Sequence, residues 1–368
     1  MSFAVITGGG SAGHVLPALA VAEALEDAGH EAGDIHYVGA RRGIESRLLP
    51  ETPYGHTLLD VDGLQRGISA SDLRRNAAFL PKLASAVRQA RRLLRELQPK
   101  VVISVGGYAS LPAVLAARRQ RIPVVVVTYD RQPGQSSAIT ARFAAAVAAA
   151  YEGSPLPRAT VTGAPVRRVI RQVDRVGGRA AAREELGLPA DRFVVAVIGG
   201  SLGSGILNEA VTAYVDGHGD DRSLAVRHVV GERFAASAAA PRDGTDGVLY
   251  QVVGYEPRMD LVYAAADLLI GRGGATTVAE VSVTGIPAIL VPWAGAAEDH
   301  QTGNVRWLSD ADAAVLLAEP DVARLGEEIE ALRHDDERRH SLGTAAAAMG
   351  AQHRGGGLAE LIERVASA

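Results

Sequence analysis

One stretch of this chain has a close echo in its second half. Val5-Ile6-Thr7-Gly8-Gly9-Gly10-Ser11-Ala12-Gly13 returns as Val195-Ala196-Val197-Ile198-Gly199-Gly200-Ser201-Leu202-Gly203, the second copy starting 190 positions after the first (residue 195 against residue 5) in a chain of 368 residues. Each copy is a short apolar run that breaks into Gly-Gly-Ser and then into a helix-like segment. An apolar run too short for a helix and rich in Val and Ile reads as a strand buried on both faces, and a glycine turn leading into a helix is the opening of a mononucleotide-binding unit. Two copies half a chain apart predict two similar α/β domains. The length agrees, since it allows for about two domains of ordinary size.

Further short runs alternate with helix-length segments: Phe3–Thr7, Asp34–Gly39, Val101–Val105, Pro123–Thr128, Phe193–Ile198, Leu224–Val230, Leu268–Ile270 and Pro287–Pro292. Strands alternating with helices predict right-handed crossovers and parallel sheets. Gly153, Ser154, Pro155 and Pro157 mark a boundary, and the polar stretch Ala238–Gly247 reads as a surface loop. The expected organisation is residues 1–155 as an acceptor-side domain, 156–345 as a nucleotide-sugar domain, and 346–368 as a helical tail packing back toward the first.

Composition narrows the chemistry. Cysteine is absent, which excludes disulfides, thiolate catalysis and zinc–thiolate sites and fits a reducing cytoplasm. Thirty-eight basic against 42 acidic residues argue against a nucleic-acid binder held by bulk charge. No apolar run reaches the ~18–20 residues of a spanning helix, and the segment from Met1 has no basic start, so no signal peptide is expected. Against this mild acidity, Arg74–Arg95 interleaves Arg74, Arg75, Lys82, Arg88, Arg91, Arg92 and Arg95 with apolar residues. Such a segment suits peripheral contact with an anionic membrane or, equally, a core-packed helix with a solvated basic face.

Gly8, Gly10 and Gly13 formally satisfy the dinucleotide fingerprint. The second strand ends at Val38-Gly39-Ala40-Arg41-Arg42 without the ribose-binding acid, so only an NADP version, with Arg41 and Arg42 on a 2′-phosphate, stays open. His14 begins the following helix, where the positive helix end favours a neutral imidazole able to accept a proton; the alternative is a histidine that only ties the turn. Gly271-Arg272-Gly273-Gly274-Ala275-Thr276-Thr277-Val278-Ala279-Glu280 is again strand end, turn and helix start. Its amides and hydroxyls suit a phosphate or sugar, and Glu280 can accept ribose hydroxyls; equally, Thr276 and Thr277 can be helix caps and Glu280 a dipole-compensating acid. Glu298 to Asn304 follows another strand end, where ligands sit in parallel sheets, and offers sugar-recognising groups without a second histidine at metal-ligand spacing.

Together, Gly9 to Pro17, Gly106-Gly107-Tyr108-Ala109-Ser110, Pro165-Val166-Arg167, Gly199-Gly200-Ser201, Arg272 to Glu280 and Asp299-His300-Gln301-Thr302-Gly303-Asn304 resemble the MurG-type N-acetylglucosaminyltransferases of glycosyltransferase family 28, over nearly the whole chain and in order. The resemblance implies a GT-B fold, with two Rossmann-like domains whose parallel sheets face a central cleft. It implies an inverting, metal-independent transfer from a UDP-sugar to a lipid-linked acceptor at the cytoplasmic membrane face, with no cofactor. It implies His14 as general base and Ser11, Ala12, Gly13, Ser201 and Arg167 near the diphosphate. Glu280 would hold the ribose, and Tyr255 would border the uracil. Ala275, Thr276, Thr277, Val278, Ala279, His300 and Gln301 would contact nucleotide or sugar, while Gly107 and Tyr108 would lie on the acceptor side. The chain departs from the family pattern in three places. Val127-Thr128-Tyr129-Asp130 stands where the family carries His-Glu-Gln-Asn, placing Asp130 for an amide near donor or acceptor; Ala164 replaces Asn, and Leu202 replaces Gln. A relative acting on a specialised glycolipid or antibiotic acceptor therefore stays open, as do a sugar-nucleotide epimerase and a non-catalytic nucleotide-sugar-binding protein of the same architecture.

Overall fold

The computed structural model describes residues 2–10, 12–42, 44–61, 70–200, 203–296 and 299–368, of which residues 12 and 70–79 by backbone alone. Contacts divide the chain into two units, Met1–Arg168 with Gly355–Ala368, and Val169–Arg354. The dividing points, 168/169 and 354/355, compare with 155/156 and 345/346 from the sequence.

The first unit is built on a sheet of seven strands: β1 (Ala4–Thr7), β2 (Ile35–Ala40), β3 (Gly55–Leu59), β4 (Val101–Ser104), β5 (Val124–Thr128), β6 (Ala146–Ala149) and β7 (Ala159–Val161). All are parallel, in the order β3-β2-β1-β4-β5-β6-β7. The central strands β1, β4 and β5 are buried at every position, as their unbroken apolar sequences require. The 28-residue helix Ala70–Leu97 buries Ala86, Val87, Ala90 and Leu94 and exposes Arg88, Arg91, Arg92 and Arg95. Its described part is thus an amphipathic helix with a solvated basic face; the side chains of Arg74 and Arg75 lie outside the described residues. The terminal helix Gly357–Ala366 packs on helix Ala12–Asp27, and His30 pairs with Glu363 at 3.0 Å.

The second unit repeats the plan with β8 (Phe193–Ile198), β9 (Leu224–Val229), β10 (Arg242–Asp243), β11 (Leu249–Val253), β12 (Leu268–Arg272), β13 (Ala288–Val291) and β14 (Val315–Leu316), in the order β10-β11-β9-β8-β12-β13-β14. Only β10 runs antiparallel; it lies inside Ala238–Gly247, so the stretch expected to be loop contributes a two-residue edge strand. In both sheets the strand order reverses beside the first strand of the unit, and the glycine-rich turns lie at this reversal. That is where open α/β sheets bind ligands. Among the described residues no helix is long and apolar enough to cross a membrane.

Candidate functional site

At the reversal point of the first sheet, Gly8–Gly10 follows β1 and Gly106–Gly107 follows β4. The turns touch: Gly107 has φ +76°, and a Cβ there would lie 2.3 Å from the Gly9 carbonyl, so no larger residue fits without moving backbone. The buried Tyr37 hydroxyl donates to the Gly8 carbonyl at 2.8 Å, and the Tyr108 ring stands against Gly10. His14 leans over Gly106 and is half-buried. Burial holds its imidazole below the ordinary histidine range, opposed by the charges of Asp130 and Glu45. The imidazole is therefore neutral at pH 7, with two carboxylates arranged to stabilise it once protonated.

Proline explains how this histidine is held. Pro17 lies inside helix Ala12–Asp27 and has no N–H for the carbonyl four residues back, that of Gly13. The Tyr129 hydroxyl donates to this carbonyl at 2.6 Å, from the residue directly after β5. The substitution of Tyr129-Asp130 for the family's amides thus links the β5 end to the helix turn carrying His14. Beside it, Thr128, Asp130, Arg131, Tyr151, Glu152 and Ser154 line a polar depression. Gly13 is exposed; Ser11 and the side chain of Ala12 lie outside the described residues. Arg167 is not gathered here: its Nε donates to Glu23 Oε1 at 2.7 Å, on the side of helix Ala12–Asp27 more than two turns past His14.

At the reversal point of the second sheet, Gly199-Gly200 follows β8; Ser201 and Leu202 lie outside the described residues. Ser204 caps helix Gly205–Gly217 and accepts Arg272 Nη2 at 2.7 Å. Arg272, at the end of β12, also donates to the Val291 carbonyl and pairs with Glu319. After β12, Gly274 is the N-cap of helix Ala275–Thr284 and provides no side-chain cap. Thr276 and Thr277 therefore lie inside the first turn, not at the cap, and the amides at this helix end have no capping side chain, an arrangement suited to an anion. Ala275, Val278 and Ala279 are buried; Thr276, Thr277 and Glu280 are half-buried.

Glu280 is fixed from behind. The fully buried Tyr263 donates its hydroxyl to Glu280 Oε2 at 2.7 Å, and burial together with that carboxylate pushes the phenol well up. Helix His300–Ser309 comes to the same turn. Buried Asn304 donates to the Gly273 carbonyl at 3.3 Å, and Gln301 accepts from the Trp293 amide at 2.9 Å. His300 is half-buried at the helix start, and Tyr255 is 42% exposed beyond β11. The structure thus assembles Ala275–Glu280 with His300, Gln301 and Asn304 in the second unit, and His14, Gly107, Tyr108 and Asp130 in the first. Sequence reading overlooked Glu45, Tyr129 and Arg272 as contributors. Tyr129 had a signal in Pro17, four residues beyond a carbonyl that then needs another donor, and Arg272 stood inside a motif read only for its neighbours.

The model of the glycosyltransferase family 28 N-terminal domain matches residues 4–149, and that of its C-terminal domain matches residues 194–355. The chain belongs to glycosyltransferase family 28. Within the family it is 40% identical over 326 residues to a protein of Clavibacter michiganensis subsp. michiganensis, covering 87% of this chain and 84% of the relative. That relative is named UDP-N-acetylglucosamine--N-acetylmuramyl-(pentapeptide) pyrophosphoryl-undecaprenol N-acetylglucosamine transferase. A protein of the same name from Paenarthrobacter aurescens is 36% identical over 99% of this chain and 96% of its own. The crystal structure of Acinetobacter baumannii MurG matches all of both chains with a TM-score of 0.70 at 26% identity. A Neisseria meningitidis UDP-GlcNAc 2-epimerase, 12% identical with a TM-score of 0.63, shares the fold. The two parallel-sheet α/β units are those of a GT-B fold. Family membership sets aside the NADP-reductase alternative.

Proposed function

We propose that this family 28 enzyme transfers N-acetylglucosamine from UDP-GlcNAc to an N-acetylmuramyl-(pentapeptide) pyrophosphoryl-undecaprenol acceptor. The observation that carries the reading is the 40% identity, over 87% of the chain, to a relative of that name. In this reading the second unit takes the nucleotide. The uncapped amides at Ala275–Thr277, together with Ser201, receive the diphosphate, Glu280 accepts the ribose hydroxyls, Tyr255 borders the uracil, and His300 and Gln301 meet the sugar. The first unit takes the acceptor along Gly107, Tyr108 and Asp130. Neutral His14 accepts the proton of the acceptor hydroxyl as its oxygen bonds the sugar C1. The bond from C1 to the diphosphate breaks with its electron pair, and UDP leaves with inversion at C1. The fixed amides stabilise the charge that grows on the diphosphate, and no metal is required. Arg167, given over to Glu23, acts on the nucleotide only if that pair opens. The exposed Arg88, Arg91, Arg92 and Arg95 give the enzyme its peripheral hold on an anionic cytoplasmic membrane face, where a lipid-linked acceptor resides.

The test is UDP release from UDP-GlcNAc with the prenyl-diphosphate muramyl-peptide acceptor, with sugar transfer verified on the product. Release with that acceptor supports the reading. Release only with a different amphiphilic acceptor overturns it in favour of a specialised paralogue, and conversion of UDP-GlcNAc without any acceptor identifies an epimerase.

A further inference from the structure

The first glycine-rich turn already contains an anion of the protein's own. Glu45, on the short helix Glu45–Leu48 after β2, is completely buried. Its Oε1 accepts the Gly10 amide at 2.8 Å and the Ala40 amide at 3.3 Å. A Cβ added to Gly9 would lie 1.9 Å from that oxygen, so the oxygen occupies the hollow that the missing side chain leaves. In turns of this kind a bound phosphate receives such amides. Oε2 is equally buried and has no hydrogen-bond partner among the described residues. A carboxylate oxygen left so in the interior destabilises the fold, which makes a purely structural role a poor explanation.

Around this carboxylate stand the Tyr37 phenol on β2 and the His14 imidazole on helix Ala12–Asp27. Both feel its charge: the phenol is pushed up by burial and by Glu45, and the imidazole is drawn up by Asp130 and Glu45 against burial. The second unit does the opposite at its own turn. There the buried side chain reaching Ser204 is Arg272, a cation balanced by Glu319.

We infer that Glu45 is a positioning residue for the transfer: its carboxylate fills the first turn as an internal stand-in for phosphate, holds the backbone that leads into the helix bearing His14, and supplies that imidazole with a buried counter-charge. This rests on the transferase reading and extends it. The first turn then serves the base, and the diphosphate is left to the second unit.

Glu45→Gln keeps an acceptor for the Gly10 amide and removes the charge. The His14 ring signal is followed by NMR titration in the full chain, a readout independent of any acceptor. Loss of the carboxylate lowers the His14 midpoint; identical midpoints in both proteins overturn the inference, whatever the acceptor proves to be. In turnover with UDP-GlcNAc, kcat falls at least about tenfold, the acid limb of the kcat profile moves to lower pH, and the KM for UDP-GlcNAc stays within about twofold. A loss appearing in the donor KM with an unmoved pH profile also overturns it. If Glu45→Gln does not fold, as judged by UDP-induced thermal stabilisation, Glu45→Asp carries the test. It retains the charge but shortens its reach to the Gly10 amide, so kcat falls while the acid limb stays in place; unchanged kcat sinks the proposal.

Discussion

Acid should weaken the second unit through two buried histidines, and the amount can be worked out. His228 on β9 is fully buried; its Nε2 pairs with Asn208 Oδ1 at 3.0 Å and its Nδ1 with the Tyr250 hydroxyl at 2.8 Å. Because Asn208 Nδ2 donates to the Val230 carbonyl, its Oδ1 faces the ring, which assigns the proton to Nε2 and makes Nδ1 the acceptor of the Tyr250 hydroxyl. A second proton on the ring would destroy that bond. Burial pushes His228 down to about 4, and burial with Arg354 does the same to His353. Both folded values lie below the ~6.5 of an unfolded chain, so between these values the unfolded state binds protons that the folded state refuses, and stability falls as pH falls. From pH 8 to pH 5 each histidine removes about 2 kcal/mol, together about 4 kcal/mol. For a unit of this size the melting temperature drops by roughly 8–16 °C. Differential scanning calorimetry from pH 8 to pH 5, with saturating UDP as a second series, checks this. His228→Gln, which offers one donor and one acceptor but does not titrate, halves the acid loss. A wild-type loss under about 1 kcal/mol, or a His228→Gln protein with the full loss, refutes the assignment of a neutral His228.

Three further outcomes concern catalysis and binding. Tyr263→Phe removes the hydroxyl that fixes Glu280, a bond to a charged acceptor of about 1.5–3 kcal/mol at most; steady-state kinetics should show the KM for UDP-GlcNAc rising up to about tenfold with kcat nearly unchanged. Tyr129→Phe leaves the Gly13 carbonyl without its donor, since Pro17 cannot supply one; a stability loss of about 1–3 kcal/mol by chemical denaturation and a lower kcat follow. His14→Ala lowers kcat by about 10²–10⁴-fold while UDP still raises the melting temperature. In the wild type the acid limb of kcat/KM has its midpoint below about 6.5, because His14 must be neutral to act and burial lowers its pKa.

Strands buried on both faces were legible because burial demands unbroken Val and Ile, and all eight runs read from the sequence become strands. Those overlooked lack such a run, whether or not they are buried. β7 is exposed along its length, β3 is exposed at Gly55 and His56, and β6 is three alanines and a valine, a composition equally at home in a helix. The site was legible where chemistry and backbone coincide, at turns that need glycine and at Glu280 one turn into a helix. It was illegible where a side chain acts across the fold. Glu45 sits in Arg41-Arg42-Gly43-Ile44-Glu45-Ser46-Arg47, which reads as a solvated charged stretch, and only the path of the chain after β2 carries it under the first turn. Arg167 shows the converse, since it matched a motif but is taken up by Glu23, 144 positions earlier.

The paired turns also show why a fingerprint needs its surroundings. Gly8, Gly10 and Gly13 match the dinucleotide spacing, and the second glycine of such a match is the one that lets backbone approach a pyrophosphate. Here the amide of that glycine is already given to Glu45, and Arg41 and Arg42 are exposed beyond β2. An incoming phosphate would have to displace a buried carboxylate or share the turn with it, and two anions at that distance repel strongly in the protein interior. The second unit presents no such obstacle: Arg272 is balanced by Glu319, and the helix after Gly274 opens with uncapped amides. One backbone plan used twice thus acquires opposite charges from single buried side chains, an acid beside the turn that leads to His14 and a cation beside the turn proposed to receive the nucleotide.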